Sequence, residues 1–196
     1  MADNYPHKKA RKPDVEEFEV DKTVGEMTVA EVDFVIDYFH NATPAFLHGL
    51  GVDASKLPNR DHWRAWFAMD LKQTPPKRSS FFVIWRQDNE PIGFASIDRI
   101  VYGEEAYFHL HIAKPEFRNS GNGAFFVKNS VGLCFEKFEL NTLFSEPYAF
   151  NTAPNRTLQK AGFKYLKTHE TIPGPINFLQ PVNTWALRKD NLSSIR

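Results

Sequence analysis

An apolar run at Phe108, Leu110 and Ile112 reads as a β-strand, and an amphipathic helical pattern opens at Asn122. The short stretch Ala113, Lys114, Pro115, Glu116, Phe117, Arg118, Asn119, Ser120, Gly121, Asn122, Gly123 and Ala124 joins the two. A loop that leaves a strand and at once starts a helix aims free backbone N–H groups outward, because a helix's first turn has no intrahelical acceptors for them. Gly121 and Gly123 lack a Cβ and let a ligand approach the main chain closely. Such a helix start suits a phosphate or pyrophosphate, with Arg118 read as a cation at its rim.

Two familiar phosphate loops do not fit. A Walker loop ends in Gly-Lys-Ser/Thr, whereas Gly123 is followed by Ala124 and Phe125. A dinucleotide fingerprint opening at Gly121 needs a third glycine where Phe126 stands. What remains, Arg118-x-x-Gly121-x-Gly123, resembles the acetyl-coenzyme A signature of the GNAT superfamily of N-acetyltransferases. Downstream, the segment from Asn151 through Pro154, Asn155 and Leu158 to Gly162-Phe163 resembles that superfamily's second signature, a short helix opening with Asn and closing on Gly-Phe. The resemblance implies acetyl-coenzyme A as donor. It implies that Ile112, Ala113, Arg118, Asn119, Ser120, Gly121, Asn122, Gly123, Ala124, Asn151 and Asn155 meet it.

Composition narrows the rest. The 196 residues fit one ordinary domain, and 24 basic side chains balance 24 acidic ones, so no nucleic-acid partner is expected. One cysteine cannot form an internal disulfide, and no apolar run suits a membrane, so a cytoplasmic protein, monomer or homodimer, is expected. Residues 1 to 14 are basic and poor in apolar side chains and read as a disordered tail. Residues 15 to 196 form the single domain.

Within that domain Phe18 to Val24 reads as a first, edge strand, and Thr28 with Glu31 forms a capping box that starts a helix bearing Val32, Val35, Ile36 and Phe39 on one face. Residues 44 to 58 allow only a short turn of helix. Asn59 caps a second helix whose Trp63, Trp66, Phe67 and Leu71 stripe reads as core, although the resemblance sets this region beside the acceptor. Strands follow at 81–85, 92–101 and 106–112, a helix at 122–137 in which Gly132 suggests close packing, a strand at 141–146, a short helix from Asn151, and strands at 163–169 and 184–188. The implied architecture is an α/β (α+β) GNAT-like fold, a mixed, mainly antiparallel sheet of about six or seven strands flanked by four helices.

Acetyl transfer to an amine requires removal of a proton from an ammonium and stabilisation of charge on the thioester oxygen. Tyr107, His109 and His111 share one face of a strand, and either histidine is a candidate general base. No third ligand accompanies the pair, so no metal is expected. Where some GNAT enzymes carry an acid tyrosine this chain has Leu158, as in the ribosomal-protein N-terminal acetyltransferase branch, and Tyr148 is the substitute candidate. The resemblance implies N-acetylation of a primary amine, of a protein N-terminus or of a small molecule. The alternative is a non-catalytic acyl-coenzyme A binding or sensing domain.

Overall fold

A computed structural model describes residues 20–118 and 121–194. The basic tail at 1–14, the start of the first strand at Phe18, and Asn119 and Ser120 lie outside the described residues. Within the described residues seven strands form one sheet: β1 (Lys22–Glu26), β2 (Ser80–Gln87), β3 (Glu90–Val101), β4 (Glu105–Ile112), β5 (Thr142–Ser145), β6 (Lys164–Thr171) and β7 (Gln180–Arg188), in the order β1-β2-β3-β4-β5-β7-β6. Every neighbouring pair is antiparallel except β4 and β5, which a helical crossover makes parallel.

Among the described residues five α-helices cover the sheet: α1 (Val32–His40), α2 (Pro44–Gly49), α3 (Arg60–Asp70), α4 (Gly123–Phe138) and α5 (Thr152–Lys160). The fifth, beyond the expected four, is α2: Thr43 caps it by accepting from the Phe46 N–H at 3.2 Å, and Pro44 occupies its first turn. The Thr28 N–H donates to Glu31 Oε2 at 2.9 Å, so the capping box forms, but a single 3₁₀ turn precedes α1 proper. Asp88 and Asn89 both take positive φ, as the tight turn between β2 and β3 requires. β7 begins four residues before its expected start at Thr184, with Pro181 paired to Glu170 near its first residue.

Period-two alternation gives the sheet two apolar faces. Trp85, Ala95, Ile97 and Phe108 meet α4 and α5 on one, through Phe126, Val127, Val131, Phe135 and Leu158. Ile84 and Phe94 meet α1 and α3 on the other, through Val35, Ile36, Phe39 and Phe67. The result is a three-layer domain with a core on each side.

Candidate active site

The site begins where the sheet comes apart. β4 and β5 pair only from Glu105 to Tyr107 and from Thr142 to Phe144. The buried Ser145 hydroxyl then donates to the Phe108 carbonyl at 2.7 Å and closes the seam. Beyond it, the remaining length of β4 is paired on one edge, to β3. Since the Phe108 carbonyl faces β5, alternation turns the Leu110 and Ile112 amides and carbonyls the same way, into the gap.

At the mouth of this gap Gly121 takes φ of 81°, and α4 starts at Gly123. A Cβ added at Gly123 would stand 3.2 Å from the Thr157 methyl, so the glycine lets α4 begin against α5. Lys22 reaches across from β1, its ammonium donating to Asn122 Oδ1 at 2.8 Å. Arg118 departs from the rim position expected of it. Its Nε donates to the Ile112 carbonyl at 3.1 Å, its Nη2 to the Ala113 carbonyl at 3.3 Å, and its guanidinium lies 4.8 Å from the centre of the Phe46 ring. The planar cation thus ties the end of β4 to α2.

Asn155 is also engaged inward. Its Nδ2 donates to the Asn151 and Tyr148 carbonyls at 2.7 and 3.2 Å, and its Oδ1 accepts from Asn183 Nδ2 and Trp185 Nε1 at 2.9 and 2.8 Å. All of its hydrogen-bonding positions have protein partners, and it does not line the cleft. Ile112, Arg118, Gly121, Gly123, Ala124 and Asn151 do line it; Ala113 and Asn122 do not.

A cavity of about 880 Å³ runs from this mouth through the gap and opens under α1, α2 and α3. Tyr38, Phe46, Trp63, Trp66, Phe82 and Phe94 wall the inner chamber. Trp63 and Trp66 were expected in the core, but only Phe67 of that helical stripe is buried; the two indoles stand half-buried at the cavity. The loop after β6 roofs the chamber against the segment after α2. The Asp53 N–H donates to the Ile176 carbonyl at 2.8 Å, Asn177 Nδ2 donates to the Gly51 carbonyl at 2.8 Å, and His48 stacks on Phe178.

Two carboxylates enter this chamber. Asp98 pairs with His109 Nε2 at 3.1 Å, and Glu146 accepts from the Thr184 hydroxyl at 3.3 Å and lies 3.8 Å from His169 Nε2. Arg99 stands between them, 3.4 Å from each, with its guanidinium 3.3 Å from the Tyr107 ring centre and its backbone at a positive φ of 47°. Burial works to raise the Asp98 pKa, but the His109 imidazole and Arg99 outweigh it and hold the carboxyl below its ordinary value.

Both histidines line the cavity and both are half-buried, but their partners differ. His109 keeps about a third of its side-chain surface exposed, at 31%. His111 packs on Phe94 at 4.9 Å between ring centres and on Tyr38 and Phe39, with Nδ1 3.2 Å from the Tyr38 hydroxyl. Burial, with a smaller contribution from His109, pushes the His111 pKa down to about 3. Burial raises the Tyr38 pKa, so that phenol stays protonated. Tyr148 lines the cavity just past β5, edge-on to Phe150 and Phe178. Among the described residues no group of three or more His, Cys, Asp or Glu could hold a metal ion, and no helix is long and apolar enough to cross a membrane.

An anion-suited helix start on one side of a split sheet and an aromatic, carboxylate-bearing chamber on the other have the layout of a two-substrate transfer enzyme. The chain belongs to the acetyltransferase (GNAT) domain family, whose sequence pattern it matches over residues 28–164. That membership makes it an acetyltransferase and agrees with acetyl-coenzyme A as the donor. No curated protein sequence matches it significantly. Its structure is similar to that of a spermidine N-acetyltransferase from Vibrio cholerae in complex with CoA and spermine, with a TM-score of 0.71, 12% identity, and coverage of 88% of this chain and 98% of that one. It is similar also to an aminoglycoside acetyltransferase in complex with coenzyme A and kanamycin, with a TM-score of 0.68, 17% identity, and coverage of 89% and 98%. At such identities the likeness shows the fold. The expected likeness to the ribosomal-protein branch is not what these structures single out.

Proposed function

We propose that this protein transfers the acetyl group of acetyl-coenzyme A to a primary amine of a small cationic molecule. The observation that carries this reading is the cavity that passes through the sheet, from the start of α4 to a chamber with aromatic walls and two carboxylates. Aromatic faces and carboxylates favour an ammonium, and the roof formed by the loop after β6 favours a compact acceptor over an extended polypeptide. The spermidine and aminoglycoside enzymes to which the fold is similar act on acceptors of that kind.

The bound donor would supply an activated acetyl thioester. The free amide and carbonyl edge of β4 at Leu110 would align it, and the Leu110 N–H would stabilise charge on the thioester oxygen. His109 takes the proton from the acceptor's ammonium, directly or through water. The Asp98 carboxylate accepts from Nε2–H, which leaves Nδ1 with the lone pair. His111, walled in by Tyr38, Phe39 and Phe94, is unsuited to gain a charge. Tyr148 is the candidate to return a proton to the departing thiolate.

The test is thiol release from acetyl-coenzyme A across a panel of monoamines, diamines, aminoglycosides and short peptides with free N-termini. Turnover should be greatest with small polycationic amines. Turnover with peptides alone would overturn the acceptor class, and absence of acceptor-dependent release across the panel would overturn the catalytic reading.

A further inference from the structure

The donor carries more negative charge than the loop between β4 and α4 can meet. Coenzyme A holds a pyrophosphate and, further out on its ribose, a 3′-phosphate. A helix start offers backbone amides to one anionic group. Arg118 is committed to the Ile112 and Ala113 carbonyls, Lys114 to Glu90 and Lys22 to Asn122, and neither lysine lines the cavity.

Helix α5 presents two more. Thr152, Arg156 and Lys160 recur every fourth residue and all line the cavity, with Ala153 and Thr157 beside them, so one stripe of this helix faces the donor arm. The contact between Thr157 and the start of α4 sets that stripe next to the phosphate-binding amides. Arg156 and Lys160 are exposed, and neither has a hydrogen-bond or ion-pair partner among the described residues. On α3, by contrast, Arg60 pairs with Asp37, and Arg64 with Asp33 and Asp61. Two unpaired cations one helical turn apart, on the face that borders the cleft, match a dianion.

We propose that Arg156 and Lys160 bind the 3′-phosphate of the donor's nucleotide, while the pyrophosphate takes the amides at the start of α4. The proposal rests on acetyl-coenzyme A being the donor. It makes α5 the element that distinguishes coenzyme A from its 3′-dephospho form.

Calorimetric titration with coenzyme A and with 3′-dephospho-coenzyme A tests it, using the wild type, Arg156→Gln, Lys160→Gln and the double variant. The wild type should prefer coenzyme A by about 10-fold or more, equivalent to about 1.4 kcal/mol, and the double variant should lose that preference with 3′-dephospho-coenzyme A affinity held within about twofold. Each single variant should lose part of it. Equal binding of both ligands by the wild type, or equal weakening of both in the double variant, would overturn the proposal. Failure of the wild type to bind either ligand would overturn the donor assignment itself, a result distinct from both.

Discussion

Two histidines on one strand, separated by a single residue, are both half-buried but keep different company, a carboxylate beside His109 and aromatic rings around His111. If His109 is the base, His109→Gln should lower kcat by about 10²- to 10⁴-fold and remove the rising limb of the pH–rate profile, as read by single-turnover acetyl transfer with amines of different basicity. An unchanged limb would make the His109 and Asp98 pair structural. His111 bears instead on stability. Folding depresses its pKa to about 3 from near 6.5, so the unfolded chain binds the proton more readily. The resulting stability is fully present above pH 6.5 and declines as pH falls towards the folded value. Between pH 7 and 5.5 the wild type should lose about 1 kcal/mol through this group; urea titrations of His111→Gln should lack that part of the slope. Alternation alone placed both side chains on one face. What separates them is Tyr38 and Phe39 on α1, residues far away in the chain that no local pattern could bring into view.

Helix α4 was the most legible element and still held a misreading. Its apolar face packs as its spacing indicated, with Val127, Val131, Cys134 and Phe138 buried. Trp85 stacks on Phe126 at 5.3 Å and donates from Nε1 to Ser130 Oγ at 2.8 Å, a buried bond that no pattern marks. Ser130→Ala should strand that indole N–H and cost about 1–3 kcal/mol in chemical denaturation. Gly132, expected to permit close packing, has nothing within 4 Å of where a Cβ would stand. Its φ is not positive, so Gly132→Ala should stabilise the protein by about 0.5–1 kcal/mol, and a loss of stability would show that the site is tighter than this. Helix α3 misled in the other direction. Trp63 and Trp66 fall at core spacing, yet a cavity lies under them, and helical periodicity reports a face without reporting what fills the space beyond it.

At the scale of the whole molecule, the mixed, mainly antiparallel sheet followed from the element order and the resemblance, whereas the place of β7 between β5 and β6 was not legible. Nor was the split, because it depends on where β4 and β5 stop pairing rather than on whether they pair. Donor binding should be visible globally: saturation at about 100 times the dissociation constant raises stability by about 2.7 kcal/mol, read as a rise in melting temperature. Gly123→Val, crowding the Thr157 methyl, should diminish that rise, and a full rise in the variant would place the donor elsewhere.

The unpaired length of β4 has one more consequence. An open strand edge ordinarily invites another protein to add itself to the sheet. Here the open edge lies in the middle of the sheet, with β5 and β7 beyond it. A folded partner cannot reach it, but a thin flexible chain with its own amides can lie along Leu110 and Ile112 as a missing strand would. The protein therefore keeps this stretch of open backbone inside the sheet, behind an entrance suited to a guest one chain wide.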